Sequence, residues 1–397
     1  MKFPLPQGWV WARCHDVIDV RDGTHDTPNK VDSGIPMVTS KNLKPYGIDF
    51  EDITYISQED YEAIERRSRV DDGDILFAMI GTIGNPVLVK KDRPFSIKNV
   101  ALFKIDEIKV HVPFFKFMSC STVITQQLDV NSRGGNQKFV SWSSLRKMQI
   151  PLPPLPEQKR IAAILNKADA IRRKRQQTVN LTEELLRSAF LDMFGDPVTN
   201  PKGWEVKPLA EEITFMTSGS RGWTEYYSDH GNKFIRIQNV KNGQLHFNDI
   251  QYVKAPDNKE AARTKVQEND LLISITADLG RTAVVDKQTA DEGAHINQHL
   301  ALVRLSNAIN PHFVAAYLES QGGKRQFLQL DQAAVKSGLN FDSIKSLRIF
   351  NPPLVLQEQY ATAVESVENT KVKLKGAADT STTLFTSLLQ RAFRGEL

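Results

Sequence analysis

The sequence predicts a mixed α/β fold written twice. Two globular α/β domains are each followed by one long helix, and the two helices pair antiparallel as a coiled coil about an approximate twofold axis. Three observations lead there: an ordered series of internal matches with a period near 200 residues, buried-strand patterns in each globular part, and two long stretches of helical spacing. The expected boundaries are 1–150 and 196–350 for the globular domains, and 151–195 and 351–397 for the helices.

The repeat starts with Pro6-Gln7-Gly8-Trp9, which returns as Pro201-Lys202-Gly203-Trp204. Asp52-Ile53-Thr54-Tyr55-Ile56 returns as Asp249-Ile250-Gln251-Tyr252-Val253, and Gly73-Asp74-Ile75-Leu76 as Asn269-Asp270-Leu271-Leu272. Ala101-Leu102-Phe103-Lys104 matches Ala301-Leu302-Val303-Arg304. The ends match best. Leu185-Leu186-Arg187-Ser188-Ala189-Phe190 is echoed by Leu388-Leu389-Gln390-Arg391-Ala392-Phe393, and Pro153-Pro154-Leu155 with Glu157-Gln158 by Pro352-Pro353-Leu354 with Glu358-Gln359. This last pairing makes Leu356 an extra residue in the second copy. Chance matches would not keep sequence order.

Within the globular parts, Ile75-Leu76-Phe77-Ala78-Met79-Ile80 and Leu271-Leu272-Ile273-Ser274-Ile275 are continuous apolar runs between Asp, Asn and Gly turn signals, the pattern of buried strands. Residues 61–68 and 312–318 read as short helices. From Glu157 to about Asp192 no Pro or Gly occurs, while Pro156 precedes the stretch and Gly195 and Pro197 close it. Ile161, Ile164, Ala168, Ile171, Thr178, Leu185 and Ala189 recur at alternating threes and fours, the seam of a helix packed lengthwise on a partner. Val364, Val367, Leu374, Ala378, Ser381, Phe385, Leu388 and Ala392 supply the partner seam, with Gly376 as a weak point.

Composition narrows the class. Forty percent apolar and 25% charged residues describe a folded globular chain, long enough for two or three domains. Two cysteines, Cys14 and Cys120, cannot build a disulfide scaffold, and no segment reaches the roughly 18 apolar residues of a membrane span. A cytoplasmic protein is expected. The net charge of +4 is spread thinly along the chain, so binding to nucleic acid would rest on local patches.

No catalytic constellation stands out. Asn351-Pro352-Pro353-Leu354 resembles a base-gripping motif of amino-methyltransferases, but Leu stands where an aromatic is wanted and Leu152-Pro153-Pro154-Leu155 occupies the matching place, so a helix-start role explains both. His295 and His299 have the i, i+4 spacing of a metal pair, yet Ile296 sits where a catalytic Glu would be and no third ligand is evident. They read as structural histidines. Arg172-Arg173-Lys174-Arg175 covers more than a helical turn and serves equally as a solvated face or a partner contact.

Three pairs of polar loops at matching places make the better binding candidates. The first is Arg21 and Thr24, in Arg21-Asp22-Gly23-Thr24-His25, against Ser218, Ser220 and Arg221. The second is Thr39, Ser40, Lys41, Asn42 and Lys44 against Arg236, Gln238, Asn239 and Lys241. The third is Arg133, Asn136, Gln137 and Lys138 against Lys336 and Ser337. Lys, Arg, Asn and Gln can pair with base edges in DNA, while Ser, Thr and Lys can hold phosphates. The halves differ most in these loops, as two readers of different sequences would.

At the level of whole motifs, the chain resembles the specificity subunit of type I restriction-modification systems. The resemblance rests on Pro151-Leu152-Pro153-Pro154-Leu155-Pro156-Glu157-Gln158 opening the first long helix and on Ala392-Phe393-Arg394-Gly395-Glu396-Leu397 closing the second. It implies two α/β target-recognition domains separated by the helix pair, each reading one half of a bipartite double-stranded DNA target. It further implies a non-catalytic role, with the helices setting the spacer and docking two methyltransferase subunits and the restriction/translocase subunits. S-adenosylmethionine, ATP and Mg would then belong to those partners and no cofactor to this chain. The competing expectations are a scaffold tethering another defence effector to DNA and a degenerate self-sufficient DNA methyltransferase.

Overall fold

The computed structural model of the chain describes residues 3–81, 83–131, 139–219, 221–332 and 338–397. It divides into two compact units, Met1–Gln177 with Lys375–Leu397, and Thr178–Leu374.

In the first unit a four-stranded antiparallel sheet runs in the order Ile18–Asp22, Val100–Ile105, Ile75–Ala78, Gly84–Leu88. All four residues of Ile75–Ala78 are buried because both faces of the sheet are covered. Strand alternation sends Ile75, Phe77, Ala101 and Phe103 into one core and Leu76, Ala78, Val100 and Leu102 into another. A second sheet, ordered Ser96–Ile97, Ile35–Val38, Thr54–Ile56, Lys30–Val31, carries one parallel pairing, Ser96–Ile97 with Ile35–Val38. The helix Gln58–Ser68 begins on Ser57, whose hydroxyl accepts from Asp60 N at 3.1 Å. Val10–Arg13 pairs antiparallel with Gln149–Leu152, tying the start of the unit to the lead-in of the first long helix.

The second unit has the same plan. Its antiparallel sheet is ordered Ile213–Ser218, Leu300–Leu305, Leu271–Ser274, Thr282–Val284, and its mixed sheet Tyr227–Ser228, Gln251–Val253, Asn232–Ile235, His295–Ile296. The expected helices are Gln58–Ser68 and Pro311–Glu319. Both units bury an acid–base pair at matched positions. Asp74 accepts from Lys104 at 2.7 Å, and Asp270 from Arg304 at 2.8 and 3.2 Å. Burial pushes both carboxyls above their ordinary range despite the cation beside each.

The long helices are Leu155–Phe194 and Leu354–Ala392, the second passing through Gly376 unbroken. The first lies within the expected 151–195 and extends past the Pro- and Gly-free stretch at both ends, because Pro156 is tolerated in a first turn and Gly195, at φ +80°, stops the chain. In the first unit Ile161, Ala162 and Leu165 share a core with Leu389, Ala392 and Phe393. In the second, Phe190 and Phe194 share one with Tyr360 and Val364. Within each unit the helices therefore run antiparallel.

Two expectations are corrected here. Gln158 Oε1 accepts from His111 N at 2.8 Å while its amide donates to Pro153 O at 2.9 Å, and Gln357 repeats both bonds with Asn310 N (2.9 Å) and Pro352 O (2.8 Å). Gln357, not Gln359, is the partner of Gln158, so Leu356 is not an insertion. The seam also shifts. Ile161 and Val364 are buried and Ile164, Ala168, Val367, Leu374, Phe385 and Leu388 half-buried, but Ile171 and Leu185 stand 45% and 56% exposed while Leu165 and Leu186 turn inward. A strict heptad drifts by about 20° per repeat against a straight helix, enough to rotate the stripe over 40 residues. The basic run is mostly consumed inside its own unit. Arg172 and Arg173 both bond Asp169, and Arg175 reaches Ala377 O and Ser381.

The units differ in one packing detail. In the first, the Phe117 and Phe385 rings meet at 6.0 Å and the Arg172 guanidinium lies 5.1 Å over Phe385. Counting from the matched His111/Asn310 and Phe393/Phe190, the second unit has Ala316 and Thr182 at these places. A cavity of about 540 Å³ lies beside Ala316, walled by Leu186, Arg187, Phe190, Glu319, Tyr360 and Lys371 among others.

Candidate nucleic-acid interface

Each unit brings several candidate loops together where its two sheets meet. In the first unit, residues 22–27 follow the edge strand Ile18–Asp22 and cross the turn at 97–99. Gly23 N donates to Val100 O at 2.9 Å, Thr24 N to Ile97 O at 3.1 Å, and Asn99 N to Thr24 O at 3.2 Å. Only glycine fits at 23, since a Cβ there would collide with the Ile97 carbonyl. The 39–44 loop joins the same cluster: Lys98 N donates to Val38 O at 2.9 Å and Ser40 Oγ to Asn99 O at 3.4 Å.

The second unit repeats the cluster. Gly219 N donates to Leu300 O at 3.1 Å, a Cβ on Gly219 would meet the Asn297 carbonyl, and Asn297 N donates to Ile235 O at 3.0 Å. One arginine in each unit clamps this loop from the neighbouring helix. Arg67 of Gln58–Ser68 bonds the Asp22 carboxylate at 2.5 Å, and Arg263 of Lys259–Thr264 donates to Ser218 O at 2.8 Å. Neither was singled out from sequence, although Arg67-Ser68 and Arg263-Thr264 stand at a common offset from the Asp74 and Asp270 pair.

The expected base-reading amides turn out to be structural. Asn42 is 6% exposed: its Oδ1 accepts from Thr39 N and Oγ1 at 2.9 Å, and its amide donates to Asp49 O at 3.0 Å and Asp52 O at 3.2 Å. Asn239, 1% exposed, accepts from Arg236 N at 2.9 Å and donates to His246 O at 2.8 Å and Asp249 O at 2.9 Å. Both complete a 3-10 turn, Ser40–Asn42 and Ile237–Asn239, with both amide hydrogens spent and the side chain buried away from a base. Arg236 and Gln238 are tied to Asp249 at 3.2 and 2.7 Å, Lys44 lies 3.9 Å from Asp49, and Arg21 is paired with Asp19 at 2.7 Å. Thr24 Oγ1 accepts from Asp26 N at 3.2 Å. Lys41, Lys241 and Arg221 are exposed and, among the described residues, unpaired. Arg133, Asn136, Gln137, Lys138, Ser220, Lys336 and Ser337 lie outside the described residues.

His25, at the end of the Arg21–His25 loop, is also part of this surface. Its Nε2 lies 2.9 Å from Asp22 Oδ2 and its Nδ1 2.9 Å from Asn99 Oδ1, with the side chain 57% exposed. Hydrogen bonding to Asn99, then to Asp22, lifts its pKa above the ordinary 6.5. The ring borders an open cleft walled by Phe139 and Trp142, which stand 40% and 38% exposed. Among the described residues no group of three His, Cys, Asp or Glu could hold a metal. His295 and His299 do not share a helix face: His295 is buried in a strand against Thr264 and Trp223, and His299 bonds Thr276 at 2.7 Å. No helix among the described residues is long and apolar enough to cross a membrane.

Comparison with known proteins bears on the surface so described. Residues 6–181 and 201–379 each match the family model for the type I restriction modification DNA specificity domain. A putative type I restriction enzyme MjaX specificity subunit from Methanocaldococcus jannaschii is 24% identical over 92% of this chain and 88% of its own length. The type I restriction enzyme EcoKI specificity subunit from Escherichia coli is 22% identical over 99% of this chain and 90% of its own. Among solved structures, a chain from work on complex assembly and conformational transition of the type I R-M system has a TM-score of 0.56 at 21% identity, with both chains fully covered. The type I restriction-modification S subunit from M. genitalium has a TM-score of 0.58 at 12% identity, covering 99% and 98%.

Proposed function

The chain belongs to the type I restriction modification DNA specificity family, and from that premise we propose that it is a non-catalytic reader of a bipartite double-stranded DNA target, one half-site per unit. The observation that carries this reading is the repeated loop cluster: two faces with the same glycine-pinned backbone and arginine clamp but different outward side chains. A shared backbone would present each face to DNA in the same way, and different side chains would select different bases. Of the candidate cations among the described residues, Lys41, Lys241 and Arg221 are exposed and unpaired.

Two faces reading one side of a duplex must sit about 34 to 36 Å apart, or a multiple of that. The long helices would set that distance and hence the number of unread base pairs. Methylating a base requires extruding it into a catalytic pocket. That task, with S-adenosylmethionine, falls to two methyltransferase partners docked on the helices and adjoining domain surfaces. ATP and Mg fall to restriction/translocase partners. Co-expression with a partner methyltransferase, followed by single-molecule sequencing of plasmid DNA, tests the reading. A split motif with a fixed gap is expected. A stable complex that leaves the DNA unmodified would instead favour a tethering scaffold.

A further inference from the structure

Counting two residues on from the pinned glycines, Gly23 and Gly219, the first unit has His25 and the second Arg221. The glycine itself is held alike at both places, and His25 and Arg221 stand at the same sequence offset from it. Two oxygens, Asp22 Oδ2 and Asn99 Oδ1, face the two ring nitrogens of His25 at 2.9 Å each. Only the protonated ring donates on both sides. Given the DNA-reading role proposed above, we propose that His25, as an imidazolium, is the phosphate-contacting cation of the first unit's face, so that this half grips DNA in a proton-dependent manner while the second half, with Arg221, does not.

The charges around the ring fit this assignment. Asp22, with a side chain 7% exposed, bridges Arg67 at 2.5 Å and His25 at 2.9 Å. The trio therefore carries one net positive charge with His25 protonated and none with it neutral. Lys98 is turned to Thr27 Oγ1 at 2.5 Å, and the cleft walls contributed by Phe139 and Trp142 are uncharged. Both ring N–H groups are spent on Asp22 and Asn99, so the imidazolium would meet a phosphate through its charge and exposed ring edge, more than half of the side chain being open to solvent. In the second unit Ser218 replaces Asp22 and the clamp runs to its carbonyl, so Arg221 needs no anionic partner to remain charged.

The test uses the full chain and a random-sequence duplex pool, then the duplex that the pool selects, with affinity read by fluorescence anisotropy between pH 6 and 9 at fixed ionic strength. The wild type should weaken about tenfold across the range, and the slope of log affinity against log salt should flatten by about one. His25→Arg should hold the tight value throughout. His25→Gln should sit at the wild type's high-pH value at every pH. Arg221→Gln should weaken binding about tenfold at all pH values and leave the profile's shape intact. An NMR titration of the His25 ring reports its charge independently of binding. Sequence-selective binding with a flat pH profile, or a His25→Gln curve that follows the wild type, overturns the proposal and leaves the DNA-reading role standing. No sequence selection by the wild type at any pH overturns both.

Discussion

The two units keep several side chains that hold backbone and change others, both at the loop surface and in the interior. Gln158 and Gln357 make the same two bonds, Asn42 and Asn239 close the same turn, and Phe114 meets Phe393 at 5.3 Å where Phe313 meets Phe190 at 6.0 Å. Against this constancy, Asp22 and His25 become Ser218 and Arg221, Ser96 becomes His295, and the Phe117–Phe385 ring pair becomes Ala316 and Thr182, the first of which borders a cavity. Internal duplication thus separates the two jobs of a polar residue. An amide spent on its own backbone recurs in both copies, whereas the side chains at these other places vary.

The sharpest test of the shared framework is the aromatic that each long helix lends to a core. Phe393→Ala should destabilise the first unit by about 3–5 kcal/mol, and Phe190→Ala the second by a similar amount. Hydrogen exchange would show the loss of protection confined to the strands of the affected unit. Spread equally over all strands, that loss would break the comparison. The next contrast is acid sensitivity. Burial, with repulsion from Lys265 added, holds the His295 imidazole down at about 4, whereas the unfolded chain takes up that proton near 6.5. Folded His295 thus resists a proton that the unfolded state binds, and stability falls as the pH drops from about 6.5 towards 4, by about 3 kcal/mol. His295→Ser, copying Ser96, should remove this share of the acid slope in a denaturation series, whatever it does at neutral pH.

Smaller effects should follow at the turns. Asn42→Ala and Asn239→Ala each strand several backbone groups and should cost about 1–3 kcal/mol by thermal melting, with little effect on DNA sequence preference. A switch in the recognised base would restore them as readers. Smallest is a gain: Ala316→Phe, importing the ring found at Phe117, should stabilise the second unit by about 0.5–2 kcal/mol in calorimetry.

Much of this architecture was legible in the sequence. Apolar runs such as Ile75 to Ala78 are long because two cores claim alternate residues, and such runs survive duplication. The helix pair was legible too, but its phase was not. Heptad counting placed Ile171 and Leu185 inside, and rotation over 40 residues carried them out. Matching Gln158 to Gln359 followed letter identity, whereas the chain matches by the N–H that each glutamine must satisfy. At the candidate site, composition could not tell a reading Asn from a turn-closing one, because both uses need the same amide. His25 was hidden for the opposite reason, since its partner Asn99 lies 74 residues away.

The antiparallel helices also impose an order on biosynthesis. The core of the first unit takes Leu389, Ala392 and Phe393, which the ribosome makes about 200 residues after the rest of that unit. At 5–20 residues per second the open core waits roughly 10 to 40 s, with its apolar wall exposed to chaperones or aggregation. The second unit, a single continuous segment, can close first. The half translated first is therefore the half finished last.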